Sequence, residues 1–142
     1  NRNVPPINYS LVYDIKKEFK QIPIHINGEI KSLYEVGLHL QKGVDGVMVG
    51  REAYNNPGEI LLKADKIIFE ENIKKISMKE KVLLFFPYIE KELSKDIKFF
   101  KIARHLTGVF KGKKGSKNFR KCLYKKNTNL NDLSKALENI EE

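Results

Sequence analysis

The sequence predicts an α/β segment followed by an all-α segment. Two observations carry this. Ile22-Pro-Ile-His-Ile-Asn27 and Val44-Asp-Gly-Val-Met-Val49 read as strands, and the stretch between them reads as a helix. Strand, crossover helix and strand make a βαβ unit, so the two strands are expected to run parallel. After Asn55-Asn-Pro-Gly58 no strand pattern returns, and helical spacing takes over.

Taken in order, Asn8 or Ser10 caps a helix over about residues 10–20, with Val12, Ile15 and Phe19 on one face. The first strand has apolar residues at 22, 24 and 26 and stops at Gly28. Ser32-Leu-Tyr-Glu35 is a capping box, and the helix behind it runs to about Gln41 before Gly43. The second strand is expected to be buried and closes at Gly50-Arg51. Residues 59–70 read as helix. Ser77-Met-Lys-Glu80 opens another helix, with Val82, Phe86, Ile89 and Leu93 at helical spacing and a kink expected at Pro87. A further helix carries Phe99, Ile102, Leu106 and Phe110. Phe119 with Leu123, and Leu133 with Leu137 and Ile140, mark two more. Two strands cannot bury both of their faces, so the α/β part is expected to be the end of a larger sheet whose other strands precede Asn1.

Charge divides the chain in the same place. Residues 1–62 hold seven Lys/Arg and seven Asp/Glu, so the net charge of +9 lies entirely in residues 63–142. From Arg104 to Lys126 there are nine basic residues and no acidic one. A lysine-rich composition alone would spread the lysines without excluding acids from one stretch. The pattern therefore points to a phosphate-rich partner. The single cysteine, Cys122, excludes an internal disulfide and fits a reducing compartment. No apolar run is long enough to span a bilayer.

Both strands end in glycine, at Asn27-Gly28-Glu29 and at Gly50-Arg51. In a parallel α/β barrel the loops after the last two strands often bind phosphate. Glycine lets backbone N–H groups approach phosphate oxygens, and Arg51 adds a charge-assisted contact. Ser32 opens a helix whose positive end faces the same side. The plainer alternative is that these glycines only make tight turns. His25, His39 and His105 lack metal-ligand spacing, so no metal is expected.

Several segments resemble the tRNA-dihydrouridine synthase family. They are Arg2-Asn-Val-Pro-Pro, Asn27-Gly28-Glu29-Ile30 and Val44-Asp-Gly-Val-Met-Val-Gly-Arg51-Glu-Ala-Tyr-Asn-Asn-Pro57. Pro87-Tyr-Ile-Glu-Lys-Glu-Leu93 and Ala103-Arg-His-Leu-Thr-Gly-Val-Phe-Lys-Gly112 look like its A branch. The resemblance implies the last βαβ part of an FMN-binding (β/α)₈ barrel over residues 1–62, a linker or helix over 63–76, and a helical tRNA-binding domain over 77–142. It implies a cytoplasmic enzyme that reduces the 5,6 double bond of D-loop uridines in tRNA, using FMN and NADPH or NADH. Asn27, Gly28 and Glu29 match one FMN-phosphate loop of the family, and Gly50 and Arg51 match the other. The family has a second glycine where Glu29 stands, and a carboxylate there would repel phosphate. Gly115-Ser-Lys117-Asn-Phe-Arg120 aligns with a family segment that touches tRNA, and Arg104 is a further candidate contact. Lys117 replaces an arginine, which keeps the charge and loses the planar fork.

The family's catalytic cysteine belongs to an earlier barrel loop. Cys122 lies among core positions and is expected to be buried, so no residue of this chain is expected to act as the general acid. Two other readings are open. One is a truncated or split-enzyme fragment, partnered by a separate N-terminal barrel half, that binds tRNA without catalysis. The other is a phosphate-binding barrel enzyme for a small molecule, which the basic helical half argues against.

Overall fold

The computed structural model describes residues 6–72, 74 and 76–141. Positions 2–5 of the Arg2-Asn-Val-Pro-Pro motif, and residues 73 and 75 of the expected linker, lie outside these. The fold is mixed α/β and mostly helical, with one short parallel two-stranded sheet, an arrangement compatible with part of an α/β barrel.

Helix α1 (Tyr9–Glu18) is capped by Asn8, whose side chain accepts from the Leu11 N–H. Ser10 donates its hydroxyl to the same oxygen at 2.6 Å, so of the two expected caps Asn8 is the one used. Strands β1 (His25–Asn27) and β2 (Gly46–Met48) pair in parallel, with His25 opposite Gly46, Ile26 opposite Val47 and Asn27 opposite Met48. Helix α2 (Leu33–Gln41) joins them and starts at the expected capping box, in which Ser32 accepts from the Glu35 N–H while Glu35 accepts from Ser32. The crossover brings the C-terminal ends of both strands to one edge, so their two glycine loops are neighbours.

Three polar links tie α1 to α2 and to the loops flanking the strands. The Tyr9 hydroxyl donates to the Gly28 carbonyl at 2.5 Å. The Tyr13 hydroxyl and His39 Nδ1 are 2.7 Å apart. Lys16 donates to the carbonyls of Lys20 and Ile22 and pairs with Asp45 at 2.7 Å. Lys16, then the Ile24 N–H, hold the Asp45 carboxyl below its ordinary pKa. His39 is buried against Tyr9 in an edge-to-face contact, which makes it a satisfied structural histidine.

Two expectations about burial fail here. Ile15 and Phe19 are exposed, and α1 contributes only the partly buried Tyr9, Val12 and Tyr13 to the core. β2 is half-buried with Met48 outside, although a buried strand was expected. The cause is common to both: a two-stranded sheet offers one helix too little surface to cover its apolar stripe.

Helix α3 (Arg51–Asn55) follows β2, and α4 (Leu61–Ile68) packs on α2. Ile26, Ile30, Leu33, Val36, Val44 and Ile60 form the core of this part. A second, separate cluster lies in the helices beyond, centred on Ile89, Phe110, Phe119, Leu123 and Leu133.

The Ser77 capping box opens α5 (Met78–Leu84) as expected. Pro87 does more than kink this stretch: the helix breaks at Phe85, and α6 (Phe86–Leu93) begins anew with the proline in its first turn, where a missing N–H costs little. Helix α7 (Phe99–Ala103) is shorter than the expected Phe99-to-Phe110 stripe. It tightens into a 3₁₀ turn (Arg104–Leu106) and then unwinds through Gly108. A Cβ at Gly108 would stand 2.5 Å from the Asn55 carbonyl oxygen, so glycine there lets the helical part press directly on the end of α3. Helix α8 (Ser116–Tyr124) buries Phe119 and Leu123. Helix α9 (Leu130–Glu138) opens with Asn129 and Asp132 in a reciprocal cap, a box the Ser-x-x-Glu pattern does not reveal.

Candidate nucleic-acid interface and phosphate loops

The first cluster of predicted residues sits at the strand ends. Asn27 closes β1, Gly28 and Glu29 come next, and Gly50 with Arg51 follows β2 and opens α3. The structure therefore brings all five together. Gly28 has φ +129°, and Glu29 has φ +44°, a left-handed conformation that glycine would take without strain. The expected conflict at Glu29 takes a definite form. Its Oε1 lies 3.5 Å from the Arg51 guanidinium, with side-chain exposures of 56% and 81% respectively. The carboxylate stands against the cation assigned to a phosphate. Space beside Gly50 is open, since nothing lies within 4 Å of a Cβ built there. The exposure of Glu29 leaves its side chain room to turn aside from Arg51.

The second cluster lies where the α/β part meets the helices. Gly108 abuts Asn55, the Tyr54 hydroxyl and His105 Nδ1 are 3.0 Å apart, and Lys111 reaches Glu52 at 3.5 Å. Beside this junction runs an open groove of about 440 Å³, lined chiefly by Tyr54, Phe100, Arg104, Lys111, Arg120 and Tyr124. Arg104 and Arg120 are 16 residues apart in sequence and meet here because α7, the 3₁₀ turn and α8 pack together. Neither arginine has a carboxylate within ion-pair distance among the described residues. Unpaired guanidiniums beside exposed aromatic rings suit phosphate and base together.

Lys117 is exposed on the first turn of α8 and does not line the groove, so of the three expected contacts two converge and one stands apart. Sequence reasoning missed Tyr54 and Phe100, and it held Lys111 only as part of the basic stretch. Their only sequence signal was composition, because their proximity arises from packing across the junction. Cys122 is half-buried rather than buried, and burial raises its thiol pKa, which describes an inert thiol. Among the described residues no cluster of His, Cys, Asp or Glu could hold a metal ion, and no helix is long and apolar enough to cross a membrane.

The sequence pattern of the dihydrouridine synthase family matches residues 1–142. The tRNA-dihydrouridine(20/20a) synthase of Haemophilus ducreyi is 45% identical over 123 residues, covering 87% of this chain and 38% of that protein. The protein of the same name from Yersinia pestis is 43% identical over 123 residues, covering 87% and 35%. That from Shigella flexneri is 42% identical over 142 residues, covering 97% and 41%. The chain thus spans about two fifths of the length of the curated relatives it matches.

Proposed function

The chain belongs to the dihydrouridine synthase family, and on that premise we propose that it carries the flavin-phosphate loops and the tRNA grip of an enzyme that reduces D-loop uridines 20 and 20a of tRNA to dihydrouridine; its relatives are named tRNA-dihydrouridine(20/20a) synthases. In this reading residues 1–62 are the last βαβ unit of a (β/α)₈ barrel, 63–76 a linker, and 77–142 a helical tRNA-binding domain. The parallel pair and the two separate cores support a two-part chain, although α4 packs Ala64 and Ile68 on the first core, which carries the α/β part on to Ile68. An enzyme of this kind works in the cytoplasm, with the tRNA pool.

When bound and reduced by NADPH or NADH, FMN would supply the electrons for the uridine 5,6 double bond. The residues of this chain bind and orient. Asn27, Gly28 and Gly50 present backbone to the flavin phosphate, and Arg51 adds charge. Arg104, Arg120 and Lys111 hold the tRNA backbone, with Lys117 outside the groove adding to the field. The observation that carries the reading is the position of that groove. Helix α3 joins it to Arg51, and four residue steps of helix span roughly 6 Å. An RNA gripped there lies beside the loops that would hold the flavin phosphate, and a uridine drawn out of its stack would be presented on that side.

A second reading is favoured by one contrast. Every residue proposed for the tRNA grip lies in this chain, whereas only two loops of the proposed flavin site do. In that reading the chain is a tRNA-binding module without catalysis. The two part in one assay: the chain replaces the matching two fifths of the Shigella flexneri relative, the hybrid is incubated with FMN, NADPH and unmodified tRNA transcript, and dihydrouridine is read by nucleoside mass spectrometry. Product establishes the first reading. Saturable tRNA binding without product or bound flavin establishes the second.

A further inference from the structure

We propose that the junction groove seats one unpaired nucleotide of the RNA, base against ring and phosphate against guanidinium, rather than following a duplex backbone. This rests on the tRNA-binding reading and specifies what the same site recognises.

The groove places three aromatic side chains among its cations. Tyr54, Phe100 and Tyr124 keep 55%, 49% and 53% exposure, so none is spent on the core. Two of them are held in place. The Tyr124 hydroxyl and Thr107 Oγ1 are 2.9 Å apart, and its ring lies 5.5 Å from Phe100 at 53°. Tyr54 is hydrogen-bonded to His105, with the rings 6.0 Å apart at 80°. Rings ordered before binding lose little entropy when a base arrives. A backbone-only contact needs none of them, because phosphates are met by charge alone. In a duplex the bases keep their faces stacked on one another, out of reach of a protein ring. Loop nucleotides offer those faces, and aromatic or arginine planes take them up. A groove of about 440 Å³ has the room of a small-ligand site, enough for a single nucleotide. The free guanidiniums of Arg104 and Arg120 then meet the phosphates flanking that base.

The test uses the full chain and two labelled RNAs, a hairpin with a seven-nucleotide unpaired loop and a blunt duplex of similar length, with affinity read by fluorescence anisotropy. Wild type is expected to prefer the hairpin. Tyr124→Ala should weaken hairpin binding at least about five-fold while leaving the duplex unchanged. Tyr124→Phe keeps the ring and should retain hairpin binding, which separates stacking from misfolding. Arg104→Ala with Arg120→Ala should weaken both RNAs. If Tyr124→Ala weakens both equally, or neither, while the arginine variant weakens both, the nucleotide seat is wrong and the tRNA grip stands. If the arginine variant leaves both unchanged, or wild type binds neither RNA, the tRNA-binding reading itself falls and the seat with it.

Discussion

Glu29 is the residue at which this chain departs most from what its site needs. It occupies a left-handed backbone position and lays its carboxylate on Arg51. Both side chains are largely exposed, so water screens the pair and limits its worth to at most about 1 kcal/mol. Glu29→Gly removes the competing charge and the backbone strain together. Flavin-fluorescence titration should therefore show FMN bound more tightly, by up to about five-fold. Riboflavin, which lacks the phosphate, should be unaffected, and Arg51→Ala should narrow the difference between the two flavins. Equal gains for FMN and riboflavin would place the effect of Glu29 elsewhere. The departure itself was legible in the sequence, because Glu29 stands where the resemblance expects glycine. The ion pair was not, since it depends on how two loops face each other across β1 and β2. Asp45 behaves in the opposite sense. Lys16 depresses its folded pKa, so the unfolded chain takes up the proton first as acid is added. Its stabilisation is present above the ordinary aspartate value of about 3.9 and is lost as pH falls below it. Thermal melts should show a shallower acid loss for Asp45→Asn than for wild type, and parallel curves would contradict the Lys16 tether.

Local chemistry decided most of the elements. Ser32 with Glu35 and Ser77 with Glu80 announced two helix starts, and both boxes are formed. The strand–helix–strand order announced the parallel pair. Where the reading fell short, tertiary context outweighed periodicity. The stripe Phe99, Ile102, Leu106 and Phe110 has helical spacing, yet the helix stops at Ala103 because the chain must turn to place Gly108 on Asn55. The stripe still reaches one core, as Ile102, Leu106 and Phe110 are all buried in it. Phe110 and Phe119 meet edge to face at 4.9 Å with neither ring exposed, tying that turn to α8. Phe119→Ala should cost about 3–5 kcal/mol in urea unfolding, because a cavity of that size collapses only partly. A loss under about 1 kcal/mol would mean that α8 is not packed as described.

Across the whole molecule, charge and packing act on different residues for one purpose. The helical half carries the excess positive charge, and its core is separate from that of the α/β half. Their junction creates a groove that neither half forms alone. That is why Arg104 and Arg120 were legible as basic positions while the groove was not: Tyr54 and Tyr124 are 70 residues apart and meet only in the folded chain. The most direct measurement is the affinity for an unmodified tRNA transcript across a series of salt concentrations, for wild type and for Arg104→Ala with Arg120→Ala. Two phosphate contacts fewer should flatten the slope of log affinity against log salt by roughly two, with weaker binding at low salt. An unchanged slope in the variant would contradict the account of the groove as the tRNA grip.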